Sequence, residues 1–320
     1  MNIKKQLKII LPLVFGAFLV WYSLADISLK TLGTYFKEAN YGYIMLGLLF
    51  GILSHLSRAY RWKFMLEPLG FKPKLTNSVL AVLIGYLVNL AIPRAGEISR
   101  ATVMTNYENI PFEKAFGTIV AERIADLIMM LSIAAITLFV QFDFIYELLT
   151  KNFNPLKISI GLAVLSIGFY ILTAVVKKAT AGFLLKIKTF FTGLIEGVTS
   201  IFKMKKKWAF IGHTIFIWAM YLLMFYLCFF SLPETQNVPF GGILTAFVLG
   251  GFTVVLTNGG IGAYPLAIQA VLLLYDIDKN TGGAFGWIVW SAQTVMLLFF
   301  GLISFILIPL YNKRYGNIEA

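Results

Sequence analysis

Three charged residues at regular spacing form the first group in this chain that could bind a ligand. Arg94, Glu97 and Arg100 lie three residues apart, so a helix that resumes after Gly96 would place them on one face. Pro93 cannot continue a helix and Gly96 permits a sharp turn, so an apolar segment should end here. Because arginine offers a planar fork of donors and a helix N-terminus offers free N–H groups, the pattern predicts a site for a phosphate group.

A second charged group lies near the start of an apolar stretch that is long enough to span a membrane. Each charge costs about 2.5 to 3.5 kcal/mol at a helix centre, so these residues need a use or a partner. Glu122 and Asp126 share one helix face, and Arg123 can pair with Asp126. We expect Arg94 or Arg100 to pair with the remaining carboxylate. The alternative is an ion-pair lock, including Arg123, that holds the segments together and touches no ligand.

Two short apolar segments must position these residues. Residues 78–92 and 242–256 are each about 15 residues long, whereas a membrane span needs roughly 20. Polar turns with glycine and proline follow them, at 93–97 and 257–265. The two segments occupy matching places in the two halves of the chain, which is typical of a transport site built from broken helices.

The second of these turns is rich in glycine. Asn258 is followed by Gly259, Gly260 and Gly262, and such a turn leaves backbone groups to be satisfied by protein or by a water-filled cavity. It could hold a phosphate at the start of the next helix, or it could allow close packing between helices. Both interpretations remain open from the sequence.

Composition defines the class of protein. Hydrophobic residues make up 59% of the 320 positions and charged residues 13%, which predicts an all-α integral membrane protein with a polytopic helical bundle. The net charge of +12 comes from lysines beside apolar segments, so we expect contact with anionic lipids and not with nucleic acid. The single cysteine, Cys228, excludes an internal disulfide, and we expect neither a metal nor a cofactor. Six segments are long enough to span: 7–24, 41–60, 116–141, 157–176, 208–230 and 285–311.

The basic residues orient these spans. They cluster before the first span, after the second, between the fourth and fifth and after the last, which places both termini in the cytoplasm of a bacterial-type inner membrane. The second of these clusters is Arg58, Arg61, Lys63, Lys72 and Lys74. Re-entrant hairpins at 78–107 and 242–275 then give three crossings in each half, about 1–150 and 151–320, and the halves of this single domain become inverted repeats. If the hairpins are full short spans instead, the chain crosses ten times.

Two segments outside the hairpins have alternative interpretations. The first span resembles a secretory signal, but Trp21 and Tyr22 before the small residues fit an interfacial aromatic belt better. Residues 183–202 have apolar side chains at helical spacing among lysines, which predicts either an amphipathic helix on the cytoplasmic leaflet or a plain connector between the halves.

These motifs together resemble one known family. The residues Asn89 to Arg100, Glu122 to Asp126 and Gly259 to Gly262 look like those of the lysylphosphatidylglycerol synthase transmembrane region, also called the flippase-like domain family. The resemblance implies movement of an aminoacylated phospholipid between leaflets, in partnership with an enzyme that makes it. No synthase domain follows residue 320, so we do not expect aminoacyl transfer. Tyr264 and Pro265 stand where the family usually has an acidic residue, so the cargo need not be a lysyl lipid.

The sequence thus predicts a lipid flippase or lipid transporter. The rival classes are a membrane-embedded aminoacyl- or glycosyltransferase, for which Asp276 and Asp278 would be the acidic pair, and a scaffold for envelope enzymes. His55 and His213 stand alone in apolar runs and should be packed rather than catalytic. The predicted substrate-binding residues are Arg94, Glu97, Arg100, Glu122, Asp126, Asn89 and Asn258. The predicted structural residues are Pro93, Gly96, Arg123, Gly259, Gly260 and Gly262.

Overall fold

The structure, a computed structural model, describes residues 3–25, 27–152, 204–257 and 259–316, with scattered residues between 160 and 192. Every regular element in these ranges is helical, which confirms the predicted all-α class. The helices are α1 (Ile3–Leu24), α2 (Leu29–Glu38), α3 (Tyr41–Leu66), α4 (Leu75–Ala91), α5 (Ala95–Glu108), α6 (Phe112–Val140), α7 (Phe142–Asn152), α8 (Lys207–Cys228), α9 (Phe240–Leu256), α10 (Ala263–Leu273) and α11 (Lys279–Gly316).

Four helical stretches in the described ranges are long and apolar enough to cross a membrane. They are Tyr41–Leu69, Phe112–Val140, Lys207–Ser231 and Lys279–Lys313, and they match the second, third, fifth and sixth predicted spans. Helix α1 covers the first predicted span. The predicted fourth span at 157–176 and the amphipathic helix at 183–202 lie outside the described residues, apart from scattered positions, and so does Asn258.

Two short apolar helices stand where the sequence predicts broken segments. Helices α4 and α9 have 17 residues each, or about 26 Å at 1.5 Å per residue. That length falls short of a hydrocarbon core of about 30 Å. Each is followed within a few residues by a partner that packs along it, α5 after α4 and α10 after α9. The inverted arrangement of these hairpins in a membrane stays a prediction.

The chain forms two compact units. The first contains Met1–Glu122 and Trp208–Ala320, and its hydrophobic core includes Phe229, whose ring lies edge-on 5.2 Å from Phe225 and tilted 4.6 Å from Phe285 between ring centroids. The second unit is Arg123–Lys207 and holds the rest of α6 and α7. The predicted halves at 1–150 and 151–320 stay a prediction.

Candidate functional site

The turn between α4 and α5 differs from the predicted one. Ile92 is extended, as expected for a residue before proline, and Arg94 adopts the left-handed conformation with a φ of 62°. Helix α5 then begins at Ala95, so Gly96 lies within its first turn and does not make the bend. Because Arg94 belongs to the turn, it does not follow the three-residue helical spacing that was predicted for it. Arg94 is exposed, and its side chain makes no hydrogen bond or ion pair with the described residues.

Gly96 is required by packing across the hairpin. A β-carbon at this position would lie 2.1 Å from the backbone oxygen of Gly85 and 2.6 Å from the side chain of Asn89. The Asn89 side chain accepts a hydrogen bond of 2.7 Å from the Gly96 N–H, which satisfies one of the free donors at the start of α5. The sequence predicts Gly96 as a structural residue and Asn89 as a substrate-binding one, and in the structure both hold the hairpin arms together.

Arg100 and Glu122 form the ion pair that the sequence predicts between the hairpin and the spanning helix. The two Nη atoms of Arg100 donate to the two Oε atoms of Glu122 at 3.1 and 2.9 Å, which is the bidentate geometry of a guanidinium and a carboxylate. Both side chains are buried, with exposures of 3% and 0%. The pair joins α5 to α6 within the first compact unit.

Two further arginines share the same carboxylate, and the sequence analysis missed their role. Arg58 donates to Glu122 at 2.6 Å, and Arg61 lies 3.4 Å from the same Oε1 atom. They were counted as loop charges after the second span, but α3 continues to Leu66 and buries both. Their spacing of three residues on one helix face was the signal that could have identified them. They therefore no longer count as loop charges that orient the second span.

The guanidinium groups are also held by uncharged contacts. The Cζ atom of Arg100 lies 3.8 Å from the centre of the Trp62 ring, and Trp62 donates to Thr118 at 2.7 Å. Arg61 donates to Thr214 at 2.8 Å and stands over the ring of Phe210. A cation over an aromatic face is stabilised by about 2 kcal/mol when both are away from water. These contacts position the arginines independently of Glu122.

We refer to Arg58, Arg61, Arg100 and Glu122 as the arginine cluster. Arg123 pairs with Asp126 at 3.5 Å on the same helix, as the spacing predicts. Glu97 is half-buried on α5, one turn before Arg100.

The second hairpin turn is closely packed. Gly259, Gly260 and Gly262 all have positive φ, and a β-carbon at Gly262 would lie 2.5 Å from the backbone of α1. Trp290 of α11 donates to the Gly259 oxygen at 2.8 Å. Tyr264, at the position where the resemblance leads one to expect an acid, is buried in the aromatic core. These contacts favour the packing interpretation of the glycines.

The end of α4 lies close to the turn of the second hairpin. A β-carbon on Gly259 would stand 3.8 Å from Cδ2 of Leu90, which belongs to the last turn of α4. Arg94 follows Leu90 by four residues and is exposed. The end of the first interrupted segment therefore lies close to the turn that follows the second one.

The residues that would support enzyme chemistry have structural contacts. His55 lies 4.6 Å from the Tyr86 ring between centroids, and His213 hydrogen bonds with Ser57 at 2.8 Å, so both histidines are packed as predicted. In the described residues, no three histidine, cysteine or acidic side chains come together to hold a metal ion.

Asp278 of the predicted acidic pair caps α11. It accepts hydrogen bonds from the backbone N–H groups of Asn280 and Thr281 and from the Thr281 hydroxyl. Burial raises the pKa of Asp278, but these hydrogen bonds outweigh burial and lower the pKa below its ordinary value. The capping role accounts for this residue without a metal or a sugar diphosphate.

The fold defines a polytopic helical membrane protein with two interrupted hairpins and a buried arginine cluster. The chain belongs to the family described as the lysylphosphatidylglycerol synthase TM region, which matches residues 9–301.

Its relatives include three archaeal proteins. One is a UPF0104 membrane protein of Methanocaldococcus jannaschii, 34% identical over 29% of this chain and 29% of its own length. Another UPF0104 membrane protein, from Pyrococcus horikoshii, is 26% identical over 50% of this chain and 46% of its own length. The glycosyltransferase AglD of Haloferax volcanii is 32% identical over 27% of this chain and 14% of its own length. The chain thus spans less than half the length of these relatives, and no solved structure matches it.

Proposed function

We propose that this chain moves a phosphate-bearing lipid between the leaflets of a membrane. The observation that carries the proposal is the approach of the second hairpin turn to the end of α4, which leads into the turn that holds the exposed Arg94. Transport sites built from broken helices lie where two such interruptions meet, near the middle of the bilayer. Arg94 would bind the headgroup phosphate, because an arginine fork matches the oxygens of a phosphate and an exposed guanidinium is accessible to a ligand.

The family supports a lipid as cargo, and the arginine cluster supports a site for anions near the same hairpin. Arg94 stands in the hairpin turn, and Arg100 follows six residues later in the second turn of α5. We also propose four further substrate-binding residues, as predicted from the sequence: Glu97, Asp126, Asn89 and Asn258. We further propose that the hairpins are re-entrant, that the halves are inverted and that both termini lie in the cytoplasm of the plasma membrane.

One comparison favours a second candidate function. Part of the chain resembles a protein named as a glycosyltransferase, which supports a role beside, or as part of, an enzyme that acts on lipid-linked substrates. In that case the chain would present or receive the lipid for the partner enzyme. Movement of lipid by the purified chain would decide between the two roles, in favour of transport.

The test replaces Arg94 with lysine, which keeps the charge and removes the fork. In proteoliposomes we expect the Arg94→Lys variant to scramble a fluorescent anionic phospholipid at least several times more slowly than wild type, with normal insertion and purification. The matched control is Arg123→Lys, because the pair between Arg123 and Asp126 is a simple contact that lysine can keep. Scrambling unchanged by Arg94→Lys would exclude Arg94 as a headgroup ligand. Absence of scrambling by wild type with several headgroups would exclude the proposed transport.

A further inference from the structure

We propose that Glu122 is an internal anion that occupies the donors of a phosphate site, so that Glu122 and a phosphate group exclude each other on Arg58 and Arg100. The phosphate group is that of a lipid headgroup or a free phosphate. The proposal rests on the proposed function where the phosphate is that of a lipid. It adds the place of the phosphate site and the competing carboxylate of Glu122.

The exclusion follows from which atoms are occupied. Glu122 Oε1 accepts from Arg58 at 2.6 Å and from Arg100 at 3.1 Å, and Oε2 accepts from the other Nη atom of Arg100 at 2.9 Å. The paired Nη groups of Arg100 are the fork that binds a carboxylate or a phosphate through two parallel hydrogen bonds. A phosphate would need the same N–H groups at the same distances. A phosphate can therefore bind only when the carboxylate has moved away or has lost its charge.

The arginine fork can persist when the carboxylate leaves. Trp62 lies under the Arg100 guanidinium at 3.8 Å and is itself held by its hydrogen bond to Thr118. Arg61, beside them, is held by Thr214. Donors that are positioned by other contacts lose little freedom when they bind a ligand, which favours binding.

The first hairpin carries an exposed arginine in its turn and a buried one in α5. Arg94 is exposed in the turn before α5, and Arg100 is buried in the second turn of that helix. The arginine cluster is closed in the conformation described, with Glu122 fully buried. Binding of a phosphate group there therefore requires a movement that separates Glu122 from Arg100, and the return of Glu122 would release the phosphate.

The experiment measures phosphate binding by the full chain with and without the competing charge. The purified protein in detergent is titrated with dioctanoyl phosphatidylglycerol or with sodium phosphate, and binding is followed by the shift in unfolding temperature. We expect Glu122→Gln to bind the probe about tenfold more tightly than wild type, because the like charge at the site is removed. The matched control is Glu113→Gln, an exposed acid on the same helix, which should bind as wild type does. Arg100→Lys should bind more weakly.

The two probes separate the two sources of phosphate. A gain with phosphatidylglycerol alone assigns the site to a lipid headgroup, and an equal gain with sodium phosphate assigns it to the phosphate group itself. If Glu122→Gln unfolds in detergent without a probe, we expect phosphatidylglycerol to restore its unfolding temperature, since the headgroup supplies the missing anion.

Equal or weaker binding by a folded Glu122→Gln variant would overturn the proposal, and so would an unfolded variant that neither probe restores. The lipid-scrambling assay keeps this outcome separate from the proposed function. Scrambling by wild type without a gain of affinity in Glu122→Gln would leave transport standing and remove the role of Glu122. A gain of affinity without any scrambling would keep the site and remove transport.

Discussion

The arginine cluster predicts an energetic coupling that can be measured by a double-mutant cycle. Arg100→Met removes two charge-assisted hydrogen bonds of 3.1 and 2.9 Å from a fully buried carboxylate. Breaking a buried pair in this way typically costs about 3 to 5 kcal/mol. Because Arg58 and Arg61 still contact Glu122, we expect the loss to be near the lower end, about 3 kcal/mol. Glu122→Gln removes the carboxylate that all three arginines share, so its loss should be near the upper end, about 5 kcal/mol.

The double variant Arg100→Met with Glu122→Gln should lose about 2 kcal/mol less free energy of unfolding than the sum of the two single losses. The free energy of unfolding would be measured by denaturant titration in detergent, with helix content as the signal. The control cycle pairs Arg100→Met with Glu113→Gln, which lies on the same helix and is exposed, and should be additive within about 0.5 kcal/mol. Additive losses for Arg100 and Glu122 as well would refute the claim that this pair holds α5 to α6.

Three other features give predictions. Gly96→Ala should prevent packing of the hairpin arms and lower the unfolding temperature strongly. The control Gly117→Ala, where a β-carbon meets open space, should not lower it. Similar effects of the two changes would contradict the hairpin contact. In a cysteine-free background, an impermeant thiol reagent should label a cysteine at exposed Asn106 from the cytoplasm and one at exposed Asn280 from outside; labelling from the same side would disprove the inverted repeats. Replacing Asp278 with alanine should cost about 1 kcal/mol through loss of the helix cap. Its lowered pKa means that this difference should vanish as the pH falls below 3.8, and a difference that grows in acid would refute the cap.

The ion pair between the hairpin and the spanning helix could be predicted because an unpaired charge inside an apolar helix costs free energy. A carboxylate inside an apolar helix needs a partner, and the hairpin offers Arg94 and Arg100. The sequence could not decide which arginine pairs with Glu122, because that depends on which residue forms the turn. The left-handed conformation falls on Arg94 and not on a glycine, whereas Gly96 is needed where the two arms touch.

Two parts of the site were beyond local pattern analysis for a different reason. Arg58 lies at the end of the predicted span 41–60 and Arg61 directly follows it, so both were counted with the loop charges after that span. The need for Gly96 arises from Gly85, eleven positions earlier, and neither residue lies in the turn between them. Both facts depend on contacts between separate helices, which the charge and hydropathy of a single segment do not encode.

The contact between Gly85 and Gly96 restricts how the first hairpin can move. Because a backbone oxygen lies where each of these glycines would otherwise carry a β-carbon, the two arms have no room to slide past one another or to change register. Two helices that cannot slide past one another can only rotate together as a rigid unit, and the residues at the turn then move further than those at the opposite end. Arg94, in that turn, would therefore sweep the longest arc of any residue in the hairpin, whereas residues near Asn77, which hydrogen bonds to α11, would scarcely shift.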